Sequence, residues 1–183
     1  QGSGQQIVFM SFENHVEVVA KYAEEIAAKT GANKEISVLA ALFHDVARAW
    51  NVDEEPNLMN ESLDRASKIM KQCEYSEQEI EQVKSAILPH SCRGTIPKTE
   101  EGRVLATADA LAHLLTDFYF VLPFNGWLKA AKDFEGYRNW VLEKIERDFG
   151  PKIFFEDEKE EVRADYEALC KVFGNKTLNS KEE

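Results

Sequence analysis

Hydrophobic residues recur along this chain at three- and four-residue steps. No run alternates residue by residue over the length of a strand, so the pattern predicts helices throughout. The first predicted helix covers about 12–29, with Phe12, His15, Val19, Tyr22 and Ile26 on one face and Thr30-Gly31 at its end. The second, about 34–49, carries Ile36, Leu39, Ala40, Leu42, Phe43 and Val46. It is apolar on nearly every side, which places it at the centre of the domain. The stretch 51–60, with Pro56, reads as a loop. Helix three spans about 61–73, with Leu63, Ala66, Ile69 and Met70 inward. Helix four starts at Ser76, where Glu79 completes a capping box, and runs to about Leu88 before Pro89. An irregular loop with Gly94 and Pro97 covers 90–99. A long helix over 100–121 follows, then a break at Pro123 and Asn125-Gly126, a helix over 127–149, a break at Gly150-Pro151 and a helix over 156–173. The expectation is an all-α, single-domain bundle of about seven helices.

Length and composition narrow the class. The chain has 183 residues, enough for one ordinary domain and thin for two. A core of that size needs neither disulfide nor structural metal. With 44% hydrophobic and 30% charged residues, it is neither disordered nor low-complexity. A net charge of −11 argues against a duplex nucleic-acid binder, which needs clustered Lys and Arg on phosphates. It leaves room for a small anionic substrate, because one bound metal ion reverses the potential locally. The three cysteines, Cys73, Cys92 and Cys170, are odd in number and form no CxxC pair, so free thiols and a cytoplasmic setting are expected. No stretch has the apolar length of a membrane span, and no membrane partner is expected. Residues 1–6, QGSGQQ, read as a cloning remnant, 7–174 as the domain and 175–183 as a polar tail that frays.

Four histidines are present, and their settings carry the candidate chemistry. His15 lies on the apolar face of helix one. The dipeptide His44-Asp45 falls in the last turn of helix two. Asp109 stands within Val-Leu-Ala-Thr-Ala-Asp-Ala-Leu-Ala, where a lone carboxylate is costly to bury unless it is paired or bound to metal. Two imidazoles and two carboxylates from three helices make a mixed nitrogen and oxygen set for a divalent cation.

The order His … His-Asp … Asp resembles the HD superfamily of metal-dependent phosphohydrolases. The segments that carry the resemblance are NHVEVVAKYAEEIA around His15, LAALFHDVAR around His44-Asp45 and EEGRVLATADALAHL around Asp109. The likeness extends over about 12–122, and the predicted helices over 127–174 are additions. It implies a helical bundle with His15, His44, Asp45 and Asp109 as metal ligands. It also implies a phosphohydrolase that acts through a metal-activated water on a small phosphorylated substrate, a nucleotide in particular. The cofactor is expected to be one divalent ion, drawn from Mn, Fe, Co, Ni, Zn and Mg.

Some two-metal relatives carry further histidines between the His-Asp pair and the final Asp. His90 fits that place as a ligand of a weak second ion, as a substrate contact, or as a loop residue bonded to backbone. The histidine expected in the next helix is absent, with Asn60, Glu61 and Ser62 there instead. Asp45 and His90 are assigned to catalysis on this reading, and Arg48, His90 and Arg93 to the substrate phosphate. His113, four residues after Asp109, reads as a packed histidine with a role beside the metal as the lesser alternative. Phe118, Tyr119, Phe120, Phe124 and Trp127 read as core packing or a homodimer contact rather than a base-stacking wall. The acidic run 156–161 reads as a solvated face. Two rival classes stand beside the enzyme: a catalytically weak metal- and nucleotide-binding sensor, and a helical interaction protein without metal.

Overall fold

The computed structural model describes residues 15–50, 55–125 and 133–174, and in these it is all-α. The helices are α1 (Glu17–Thr30), α2 (Lys34–Phe43), α3 (Glu55–Gln72), α4 (Glu77–Ile87), α5 (Glu100–Leu114), α6 (Phe118–Val121), α7 (Phe134–Phe149), α8 (Glu156–Glu161) and α9 (Arg163–Gly174), with 3₁₀ turns at Val46–Trp50 and Leu122–Asn125. The expected remnant at 1–6, the first turn of the predicted first helix, Trp127 and the tail 175–183 lie outside the described residues. None of the described helices is long and apolar enough to cross a membrane.

The centre belongs to α5, not to α2 as the pattern predicts. Every α5 residue from Val104 to Leu114 is buried. Small and large side chains alternate there (Ala106, Ala108, Ala110 and Ala112 among Leu105, Leu111 and Leu114), so neighbours approach on all sides. The helices α1, α2 and α4 pack on it from the first half of the chain, and α7 and α9 from the second. Its start is fixed by Thr99, whose hydroxyl accepts from Gly102 N–H at 3.1 Å. A Cβ at position 102 would stand 3.1 Å from Pro97 Cβ and 3.0 Å from the Thr99 hydroxyl, so a side chain there would have to push one of them aside.

Several boundaries differ from expectation. α2 stops at Phe43, and His44-Asp45 occupy a turn that leads into the 3₁₀ segment rather than a helical last turn. α3 starts at Glu55, so Pro56 falls in its first turn, where a missing N–H costs nothing, instead of in a loop. The long predicted helix breaks after Leu114, and the last one divides at Val162. These breaks raise the predicted seven helices to nine in the described residues. Glu158 also leaves the solvated face assigned to it, being buried against Lys29 at 2.9 Å. The three cysteines are unpaired, and the Ser76 capping box forms.

Thr107 ties the two halves of the chain together. Its fully buried hydroxyl donates to the Lys152 carbonyl at 3.3 Å and accepts from Phe154 N–H at 3.1 Å. Thr107→Val keeps the shape and orphans both backbone groups, which costs about 2 kcal/mol. We expect a melting temperature roughly 4–8 °C below wild type in a calorimetric scan. An unchanged melt would mean the turn at 152–154 is held by other contacts.

Candidate metal centre

His44 and His90 are aimed by the same local device. Each sits just past the end of a helix and folds its ring back onto a carbonyl three residues earlier. His44 Nδ1 donates to Ala41 O at 2.6 Å, at the end of α2, and His90 Nδ1 donates to Ile87 O at 2.6 Å, at the end of α4. Those carbonyls are among the unsatisfied groups at a helix C-terminus. The bond puts a proton on Nδ1 of each ring and leaves Nε2 as the atom that faces the site. The negative ends of two helix dipoles therefore lie beside the rings, a setting that favours a cation.

Three donors converge. His15 Nε2 lies 3.3 Å from Asp109 Oδ1, His44 Nε2 lies 3.7 Å from the same oxygen, and the two nitrogens are 3.3 Å apart. Ligands bound at about 2.1 Å in a tetrahedral arrangement stand roughly 3.4 Å from one another. Lone pairs that face each other at such distances repel unless a proton or cation is shared among them. His15 Nδ1 is buried and finds no hydrogen-bond partner among the described residues. A second trio, His44, Asp45 and His90, shares His44 with the first and has a similar span. Asp45 Oδ2 lies 4.0 Å from His44 Nε2. The donor set fits a divalent ion.

The electrostatics suit that occupant. Burial opposes ionisation of Asp109, but His113, Lys152 and His15 outweigh it and hold the carboxyl well below the usual range. Burial likewise opposes ionisation of Asp45, and its surroundings, His44 and the Arg48 guanidinium foremost, outweigh it and hold the carboxyl below its usual range. Burial, with help from His44, pushes His90 down to about 4. At neutral pH, Asp45 and Asp109 are anionic and His90 is a neutral donor, the forms that metal binding requires.

The remaining predicted residues separate. His90 is buried, its ring edge-on to His44 at 5.2 Å, so its backbone bond and its place beside the site coexist. Arg48 is exposed, with Nε 3.0 Å from Asp45 Oδ2. Arg93 is exposed in the loop after His90 and makes no ion pair with a described residue. In the region of the missing histidine, Asn60 is exposed, Glu61 pairs with Arg65 at 2.6 Å, and Ser62 accepts from Ala47 N–H at 3.1 Å. The aromatic stretch divides as well. Phe118 packs on His113 and His15, Tyr119 is buried in the core, and Phe120 is half exposed against Phe173.

Three residues beside the site, Lys144, Asp148 and Lys152, lie beyond the sequence reading, and His113 takes both places weighed for it, packed and beside Asp109. His113 stacks on His15 with ring centroids 4.9 Å apart and places Nε2 3.4 Å from Asp109 Oδ1. Burial outweighs its acidic neighbours and pushes it down to about 3. Behind it, Asp148 is fully buried and receives His113 Nδ1 at 3.0 Å, Lys144 Nζ at 3.0 Å, Lys152 Nζ at 3.3 Å and the Tyr119 hydroxyl at 2.7 Å. The signal for His113 is its four-residue step from Asp109. The signal for Asp148 is that Tyr137, Val141, Ile145 and Asp148 form one buried stripe of α7. Asp148→Asn would leave the buried Lys152 and the mostly buried Lys144 short of an anion, at about 3–5 kcal/mol. Chemical denaturation should show that loss, and a change below 1 kcal/mol would contradict the network.

Comparison with known families gives a match to the HD domain over residues 12–114. No curated protein and no solved structure matches the chain. The matched region contains His15, His44, Asp45, His90 and Asp109, and it ends before Asp148 and Lys152. With more than half of its length matched and the His/Asp cluster assembled, this chain belongs to the HD-domain family, whose members are in general metal-dependent hydrolases.

Proposed function

We propose that this chain is a divalent-metal-dependent phosphohydrolase that acts on a small phosphorylated substrate, a nucleotide in particular. The observation that carries the reading is the convergence of His15 Nε2, His44 Nε2 and Asp109 Oδ1 within 3.7 Å of one another. Asp45 and His90 extend that set towards the mouth, where Asp45 is 30% exposed. A divalent ion held by these donors supplies a polarised phosphoryl oxygen and a nucleophile at neutral pH.

The side chains have separable tasks. His15, His44 and Asp109 hold the ion from within the bundle. Asp45, ionised and partly open to solvent, accepts a proton from the attacking water. Arg48 stands beside it with a guanidinium that reaches a phosphate oxygen bidentately. His90 binds the substrate or a weak second ion through the Nε2 that its backbone bond leaves open. Phe118, over the stacked pair of His15 and His113, excludes water from the inner side. Arg93 joins the phosphate from its loop.

A second reading, a weakly catalytic sensor that binds metal and nucleotide, is favoured by one observation. Asn60 on α3 is exposed and brings no donor to the site where two-metal relatives use histidine. The two readings differ in turnover, not in metal content.

Protein purified without chelator should contain close to one divalent ion per chain by elemental analysis, and His44→Ala should fall well below that. Equal content in both would remove the metal reading. Hydrolysis of p-nitrophenyl phosphate and of a nucleotide panel should require Mn²⁺, Mg²⁺, Co²⁺, Ni²⁺ or Fe²⁺. It should drop by about 10²–10⁴ in Asp45→Ala at an unchanged melting temperature. Tight nucleotide binding with no turnover under any of these ions would select the sensor instead.

A further inference from the structure

The region beyond the family match supplies a buried ammonium to the proposed metal ligand. Thr107 and Asp109 lie two residues apart on α5. The Thr107 hydroxyl fastens the backbone of Lys152 and Phe154 to that helix. The Lys152 side chain, 3% exposed, then meets the Asp109 carboxylate at Oδ2. Its other anion is Asp148 Oδ1 at 3.3 Å, and Asp148 is held from its far side by Lys144, His113 and Tyr119. The oxygens of Asp109 are thus divided: Oδ1 faces His15, His44 and His113, and Oδ2 faces Lys152. Lysine and arginine are almost never fully buried without such pairing.

We propose that Lys152 is a built-in counter-cation of Asp109 that makes this chain hold its divalent ion more loosely than the same donors would without it. The inference rests on the reading of His15, His44 and Asp109 as the metal donors. Two effects act in one direction. The ammonium and a cation at Oδ1 would sit on opposite oxygens of one carboxylate, roughly 5 Å apart. At that distance in a protein interior two positive charges repel appreciably. By occupying Oδ2, Lys152 also confines Asp109 to a single oxygen and denies the ion a bidentate grip. Without metal, the two lysines Lys144 and Lys152 balance the two carboxylates Asp109 and Asp148. Folding then does not depend on the ion, and the ion can exchange. Lys152 touches no exposed surface, so it is a positioning residue and not a substrate contact.

The test is Mn²⁺ binding to chelator-treated full-length protein, measured by calorimetry and by water-proton relaxation, in wild type, Lys152→Met, Lys152→Gln and Lys152→Arg. Loss of the charge in Lys152→Met or Lys152→Gln should tighten Mn²⁺ binding by about tenfold or more, the scale of one nearby unit charge. Lys152→Arg, which keeps the charge, should stay within about threefold of wild type. The uncharged variants should melt below wild type without metal, and saturating Mn²⁺ should narrow that gap, since the ion replaces the lost charge. Unchanged or weaker Mn²⁺ binding in the folded uncharged variants would overturn the proposal. So would equal tightening in Lys152→Arg, or failure of both uncharged variants to fold even with Mn²⁺. A wild type that binds no Mn²⁺ at all would instead remove the metal reading on which the proposal rests.

Discussion

A carboxylate buried at the middle of an apolar helix is the constraint around which this molecule is arranged. Asp109 is 4% exposed, and its neighbours along α5 are alanine, leucine and threonine. An isolated charge there would be prohibitive, so the chain around α5 brings partners to it. The turn entering α1 brings His15, the residue after α2 brings His44, α5 itself brings His113 one turn on, and the turn after α7 brings Lys152. Apolar packing fixes the positions of these helices, and the carboxylate determines which polar groups their ends must carry.

The same constraint explains which parts of the site could be read from the sequence. His15, His44-Asp45 and Asp109 stand out because each is a polar residue in an apolar periodic setting, and the family match covers all of them. The fold class follows from the three- and four-residue steps alone. The centre of the bundle was harder to place, because α2 and α5 are both apolar almost all round, and only packing shows that α5 is enclosed. The turn at His44 was not legible for a related reason. Nothing in a periodic pattern reveals that an imidazole will bond the carbonyl three residues back and end the helix there. Lys144 and Lys152 look in sequence like an ordinary charged surface pattern, and Asp148 is marked only by sharing the stripe of Tyr137, Val141 and Ile145. Lys152 is placed where Thr107 pins the chain after α7, a contact across 45 residues that no local signal encodes.

Two shells of polar groups thus surround Asp109. The inner shell is the imidazoles of His15, His44 and His113, with His44 directed by its backbone bond at a helix end. The outer shell is Lys144, Asp148 and Lys152, contributed from beyond the matched domain. The chain's net charge of −11 has little bearing on this, because the sign of the local potential is set within a few ångströms of Asp109.

The most direct examination of this account is a crystal soaked in Mn²⁺ and measured for anomalous scattering. The account predicts one strong peak at about 2.0–2.2 Å from His15 Nε2, His44 Nε2 and Asp109 Oδ1, with Lys152 still on Oδ2. A map with no peak at those atoms, or with its strongest peak at a surface carboxylate cluster, would contradict it.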